Sequence, residues 1–169
     1  MNPEPTGQIT RNDDATCELI VTRVFPNATA EDVWASITES ERTARWYGPW
    51  RGTPGAGNTI EVEMTFEEGA PWFPMHIDAC EPPTTLAISS SGEYGTWLME
   101  LRVRESASAT SLDLVQHKLD PGMAESVGPG WEFYMDMLVA ARTDAPLPSF
   151  DDYYPSQSAY YAALANPSA

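Results

Sequence analysis

Between residues 58 and 117 apolar and polar side chains alternate with a period of two, interrupted only by short clusters of turn formers. "NTIEVEMTF" sets Ile60, Val62, Met64 and Phe66 against Thr59, Glu61, Glu63 and Thr65. "TWLMELRVR" sets Trp97, Met99, Leu101 and Val103 against Glu100, Arg102 and Arg104. Successive side chains of a strand point to opposite faces, so this pattern specifies strands with one face in a core and the other in water. "WFPMHIDAC", with Phe73, Met75, Ile77 and Ala79 on one side, "LAISS" and "TSLDLVQHKL" continue it. "EEGAP", "EPPTT", "SGEYG" and "ESASA" are the turns between them. Connections this short join antiparallel neighbours, and a one-faced antiparallel sheet must bury its apolar side against another layer.

The flanking segments supply that layer. "TCELIVTRVFP", residues 16–26, is β-rich and ends at a proline. "NATAEDVWASI" starts a helix with Thr29 as cap and Asp32 three residues on, and sets Val33, Trp34 and Ile37 on one face. A second short helix is predicted over about 40–46 and stops at Gly48-Pro49, because proline disfavours helix in the residue before it. After the last strand, Asp120-Pro121 offers a cap and first-turn proline. Gly128-Pro129-Gly130 predicts a break or kink before the helix resumes through Arg142. Trp131, Tyr134, Met135, Leu138 and Arg142 share a stripe at helical spacing, while Glu132, Asp136 and Thr143 fall on the other flank. The order strand, two helices, a run of strands and a long helix implies an α+β fold with helices on one face of the sheet. A curved sheet under one helix leaves room for a cavity.

With 169 residues the chain is expected to form one domain. Residues 1–14 have no apolar stretch and are expected to be a disordered arm rather than a secretory signal. Residues 15–145 would be the domain. Residues 146–169 are rich in Pro and Tyr, and disordered segments are poor in aromatics. This extension is therefore expected to pack on the domain or on a second subunit, as a homodimer contact. With 9 basic against 25 acidic residues, the net charge of −16 repels phosphate backbones, so no nucleic-acid partner is expected. No run approaches the roughly 18 apolar residues of a membrane helix, so no membrane partner is expected and a cytoplasmic location is. Cys17 and Cys80 are far apart without a CxxC, as in a reducing compartment.

Four stretches carry a resemblance over about residues 16–142. "VTRVFPNATAEDVWASITESERTARWYGPW", through Arg23, Phe25, Val33, Trp34, Trp46, Tyr47, Gly48 and Pro49, resembles the opening of the activator of Hsp90 ATPase homologue 1-like family. "CEPPTTL" (Glu81, Pro82, Pro83, Leu86), "TSLDLVQHKL" (Thr110, Leu112, Leu114, His117) and "GPGWEFYMDML" (Gly130, Trp131, Leu138) resemble its later strand connection, strand and closing helix. The resemblance implies the helix-grip fold of the START/Bet v 1-like (SRPBCC) superfamily: a curved antiparallel sheet, two short helices after the first strand and a long C-terminal helix over a cavity. It also implies either a small apolar or amphipathic ligand in that cavity or an Hsp90-type chaperone docked on the surface, with a cyclase or hydrolase as a third reading. Fold analogy alone decides none of these.

On that fold Trp46, Tyr47 and Trp50 fall near one mouth of the cavity. Met64, Phe66, Met75, Trp97 and Met99 are expected on its sheet side, and Trp131, Met135 and Leu138 on its helix side. Ring faces give contact area at low entropy cost, and methionines repack around different shapes. The competing reading for each is plain core packing. His76 and His117 are the only histidines. His117 could pair with Asp113 or Asp120 as an acid–base element, or simply bond to backbone. His76, Asp78 and Cys80 lack the paired clusters of a zinc site. Arg45 and Arg51 could take a ligand carboxylate or pair with nearby acids. No nucleophile elbow, phosphate loop or dinucleotide motif occurs, so no catalytic residue, metal or cofactor is assigned.

Overall fold

The computed structural model describes residues 2–92 and 95–167. One antiparallel sheet runs β1 (Gln8–Arg11), β2 (Cys17–Pro26), β3 (Trp50–Arg51), β4 (Thr59–Glu63), β5 (Trp72–Glu81), β6 (Thr85–Gly92), β7 (Gly95–Glu105) and β8 (Ala109–Leu119), in the spatial order β1-β2-β8-β7-β6-β5-β4-β3. From β4 to β8 each strand pairs with the one before it, as the short turns require. The β6–β7 turn "SGEYG" lies partly outside the described residues, at 93 and 94. Helices α1 (Ala30–Thr38) and α2 (Ser40–Thr43) follow β2, and α3 (Ala124–Thr143) follows a 3-10 turn at Pro121–Met123. The chain is therefore α+β with a curved sheet gripping a long helix. Thr29 caps α1 by accepting from the Asp32 N–H at 3.2 Å.

Four expectations change. Helix α3 does not break at Gly128-Pro129-Gly130 but is continuous through it. Pro129 cannot donate to the Glu125 carbonyl, and burial of residues on either side of it holds the helix together instead. Second, the N-terminal arm is not disordered: residues 8–11 pair with β2, and the Thr6 and Gly7 amides donate to Glu132 at 2.6 and 2.7 Å. Third, Glu132 is not on a solvent flank but fully buried. Its second oxygen accepts from Arg23 Nη2 at 2.8 Å, and the Tyr161 hydroxyl donates to its first. Burial alone would push its carboxyl up; Arg23, Tyr161 and the Thr6 amide outweigh that and hold it below the usual range. Fourth, β5 bulges between Ile77 and Ala79, which turns Cys80 from the outer face toward the concave wall opposite Leu86.

The tail runs back along α3. Phe150 and Tyr153 meet the Phe133 ring edge-on, with centroids 5.5 and 5.7 Å away. Helix α4 (Ser158–Ala165) packs on α3 and β1 and buries Tyr161 over Gly128. A β-carbon at Gly128 would lie 2.5 Å from both Cδ atoms of that ring, so glycine is what lets the two helices approach.

Candidate ligand cavity

The turn after α2 is built around two indoles. Trp46 Nε1 donates to the Ser36 carbonyl at 2.9 Å and Trp50 Nε1 to the Thr38 carbonyl at 2.8 Å. Both N–H groups satisfy carbonyls at the C-terminal end of α1, groups that a helix leaves without partners. The bulk at this turn therefore anchors α1–α2 to the sheet and turns ring faces inward. Tyr47, between them, stands at 5.2 Å edge-on to Tyr134 and stacks on Trp131 at 6.4 Å. Among the described residues its hydroxyl has no hydrogen-bond partner. Burial, with the Glu67 carboxylate adding to it, pushes that phenol well above its usual range.

These aromatics divide the space between sheet and α3 into two chambers. The inner holds about 130 Å³, walled by Trp46, Trp50, Ile60, Ile77, Leu101 and Leu114 among others. The outer holds about 600 Å³, walled by Met64, Phe66, Phe73, Trp97, Phe133 and Phe150 among others. Tyr47, Met75, Met99 and Trp131 face both. The outer chamber has the size of small-molecule sites, roughly 300–1,000 Å³, and their mostly apolar lining.

Trp46, Tyr47, Trp50, Met64, Phe66, Met75, Trp97, Met99 and Trp131 thus come together around one divided cavity. Met64 and Phe66 do so from the loop after β4, since that strand ends at Glu63, short of the alternation that predicted it. Met135 and Leu138 do not. Both are fully buried, in the core with Leu19, Val21 and Leu112, because the cavity side of α3 is taken by Val127, Gly130, Trp131 and Tyr134. Sequence reasoning missed Glu67, Phe73, Met123, Ser126, Val127, Gly130, Phe133 and Phe150 as wall residues. At Gly130 a β-carbon would meet nothing within 4 Å, as on a helix face over open space, but that clearance is a property of the fold and left no mark in the sequence.

Polar chemistry in the walls is sparse. The Tyr134 hydroxyl donates to Glu67 Oε1 at 2.6 Å, tying α3 to the β4–β5 loop across the outer chamber. Trp131 Nε1 donates to the buried Gln116 Oε1 at 2.7 Å. Neither histidine lines a chamber. His117 lies between Glu18 at 2.9 Å and Glu100 at 3.3 Å rather than beside Asp113, which Arg104 holds. His76 bonds Thr59 at 3.0 Å. Arg45 and Arg51 are paired with Asp144 and Glu61. Among the described residues no group of three His, Cys, Asp or Glu side chains could hold a metal, and no helix is long and apolar enough to cross a membrane.

The architecture has solved counterparts. The crystal structure of CalU16 from Micromonospora echinospora superposes with a TM-score of 0.75 at 24% identity, covering 96% of this chain and 97% of that one. The protein encoded by BPP1335 of Bordetella parapertussis gives 0.68 at 20% identity, over 100% and 95%. DynU16, a protein of the dynemicin biosynthetic locus, gives 0.63 at 21%, over 80% of this chain and 50% of that one. No curated protein sequence matches the chain. The family model for Activator of Hsp90 ATPase homolog 1-like protein matches residues 27–142, a span that starts just after β2 and takes in both short helices, strands β3 to β8 and all but the last residue of α3. The chain belongs to that family, built on the START-like helix-grip fold.

Proposed function

We propose that the protein binds a small apolar or amphipathic molecule between the sheet and α3. The observation that carries this reading is the outer chamber of about 600 Å³, walled by aromatic and thioether side chains where a filled core would place Leu, Ile and Val. Each ~100 Å² of apolar ligand surface taken from water contributes about 2.5 kcal/mol, before the costs of association. The divided shape fits a rigid body in the outer chamber and a slender group reaching past Tyr47 and Trp131 into the inner one. Among the described residues no histidine stands in either wall to activate the Cys80 thiol of the inner chamber or the Ser90, Ser91 and Ser126 hydroxyls of the outer one, which favours binding over catalysis. The chaperone-docking alternative rests on surface chemistry, whereas the conspicuous apolar surface here is concave.

Native mass spectrometry with fatty acids, sterols and aromatic polyketides, together with quenching of tryptophan fluorescence, tests the proposal. Trp97 and Trp131 would report occupancy of the outer chamber. Saturable one-to-one binding is expected; no retained mass and no saturable quenching across all three classes would overturn it.

A further inference from the structure

Resting on that reading, we infer that the ligand is an amphipathic cation: an apolar, preferably aromatic, body carrying an ammonium group that sits between Glu67 and the rings of Tyr47 and Tyr134. Among the described residues Glu67 is the one carboxylate in the walls of either chamber, and no Lys, Arg or His joins it there. Among the described residues its side chain is paired with no cation; its one partner is the Tyr134 hydroxyl, at 2.6 Å. That bond occupies Oε1 and fixes the carboxylate at the rim, leaving Oε2 for a donor from outside.

The rings beside it have the matching polarity. An aromatic face carries the negative side of its quadrupole, so a cation over it is attracted, most strongly where water is excluded. Tyr47, Tyr134 and Trp131 form a contiguous cluster, with centroids 5.2 to 6.4 Å apart, that shares the outer-chamber wall with Glu67 and is joined to it through the Tyr134 hydroxyl. The Tyr47 hydroxyl, unpartnered among the described residues, can accept from an ammonium that approaches it. The field of the whole molecule acts in the same sense: a net charge of −16 draws cations toward the mouth and repels carboxylates and phosphates. A fatty acid would bring its anion to a rim with a fixed negative charge and no counter-charge, whereas an ammonium finds both a counter-ion and ring faces.

The test is isothermal titration calorimetry with three probes of one shape: 2-naphthylmethylammonium, 2-naphthylmethanol and 2-naphthoate. The ammonium is expected to bind about tenfold more tightly than the alcohol, and the carboxylate more weakly than either. Glu67→Gln keeps an acceptor for Tyr134 and is expected to bring the ammonium-to-alcohol ratio most of the way to one. An alcohol that binds as tightly as the ammonium overturns the inference and leaves the cavity reading standing. A ratio that survives intact in Glu67→Gln overturns the role of Glu67. If no probe binds, the cavity reading fails and the inference falls with it.

Discussion

Replacing Glu132 by alanine should do more damage than any surface change, because this one buried carboxylate on α3 holds three other parts of the fold, the N-terminal arm, β2 and α4. The Thr6 and Gly7 amides, the Arg23 guanidinium and the Tyr161 hydroxyl all donate to it. Breaking a buried ion pair by removing one partner costs about 3–5 kcal/mol, since the other charge stays buried. Arg23 keeps Asp136 at 2.8 Å, and that carboxylate is partly solvated, so the low end applies. Alanine's better helix propensity returns a few tenths of a kcal/mol. The expected loss is about 3 kcal/mol, a large part of the 5–15 kcal/mol of a typical domain. Urea unfolding followed by circular dichroism reads it. Limited proteolysis reads the specific claim that residues 3–11 and α4 are released first. Glu132→Ala combined with Tyr161→Phe should cost less than the two single losses added together, because the hydroxyl has already lost its acceptor. A loss below about 1 kcal/mol, or termini as protected as before, would refute the clasp.

The two glycines flanking Pro129 should behave oppositely. Gly128→Ala drives a methyl into the buried Tyr161 ring and is expected to destabilise by about 1–3 kcal/mol of overpacking, less about 1 kcal/mol of helix propensity. Gly130→Ala faces open space and should stabilise by up to about 1 kcal/mol, while Gly130→Phe should abolish probe binding with the melting temperature kept; matching effects at the two sites would contradict the packing described. Glu132 also predicts an acid limb. Its folded pKa lies below the ordinary 4.5, so its stabilisation is present above pH 4.5 and is lost as pH falls through the folded value. Glu132→Gln should flatten that part of a stability–pH curve, and an unaltered slope would show that other carboxylates set it.

The fold was largely legible because its signals are local and periodic. Alternation at β4 to β8 fixed which face was apolar, and Thr29 with Asp32 marked where α1 begins. The misreadings share a physical cause: each turned on a partner far away in sequence. Glu132 looks like a solvent-facing acid until Arg23, Thr6, Gly7 and Tyr161 surround it, and pattern within α3 carries no trace of them. Gly128-Pro129-Gly130 looks like a breaker because propensity is local, while the Tyr161 ring that needs Gly128 comes from α4. The short strand β1 has no apolar pattern of its own and exists through its ladder with β2. In the candidate site, large aromatics and methionines announced an adaptable wall. Which residues of α3 face it could not be read, because Met135 and Trp131 sit on adjoining parts of one apolar stripe. The β5 bulge likewise reversed the facing of Cys80 without any sequence mark.

Methyl NMR of protein labelled at the methionine Cε carbons tests most directly whether the space beneath α3 takes a guest. Met64, Met75, Met99 and Met123 line the chambers, whereas Met135 and Met137 are sealed in the core. On titration with 2-naphthylmethanol, saturable shifts are expected at the first four and none of comparable size at the last two. Methyls that do not move, or that all move together without saturating, would contradict a built cavity.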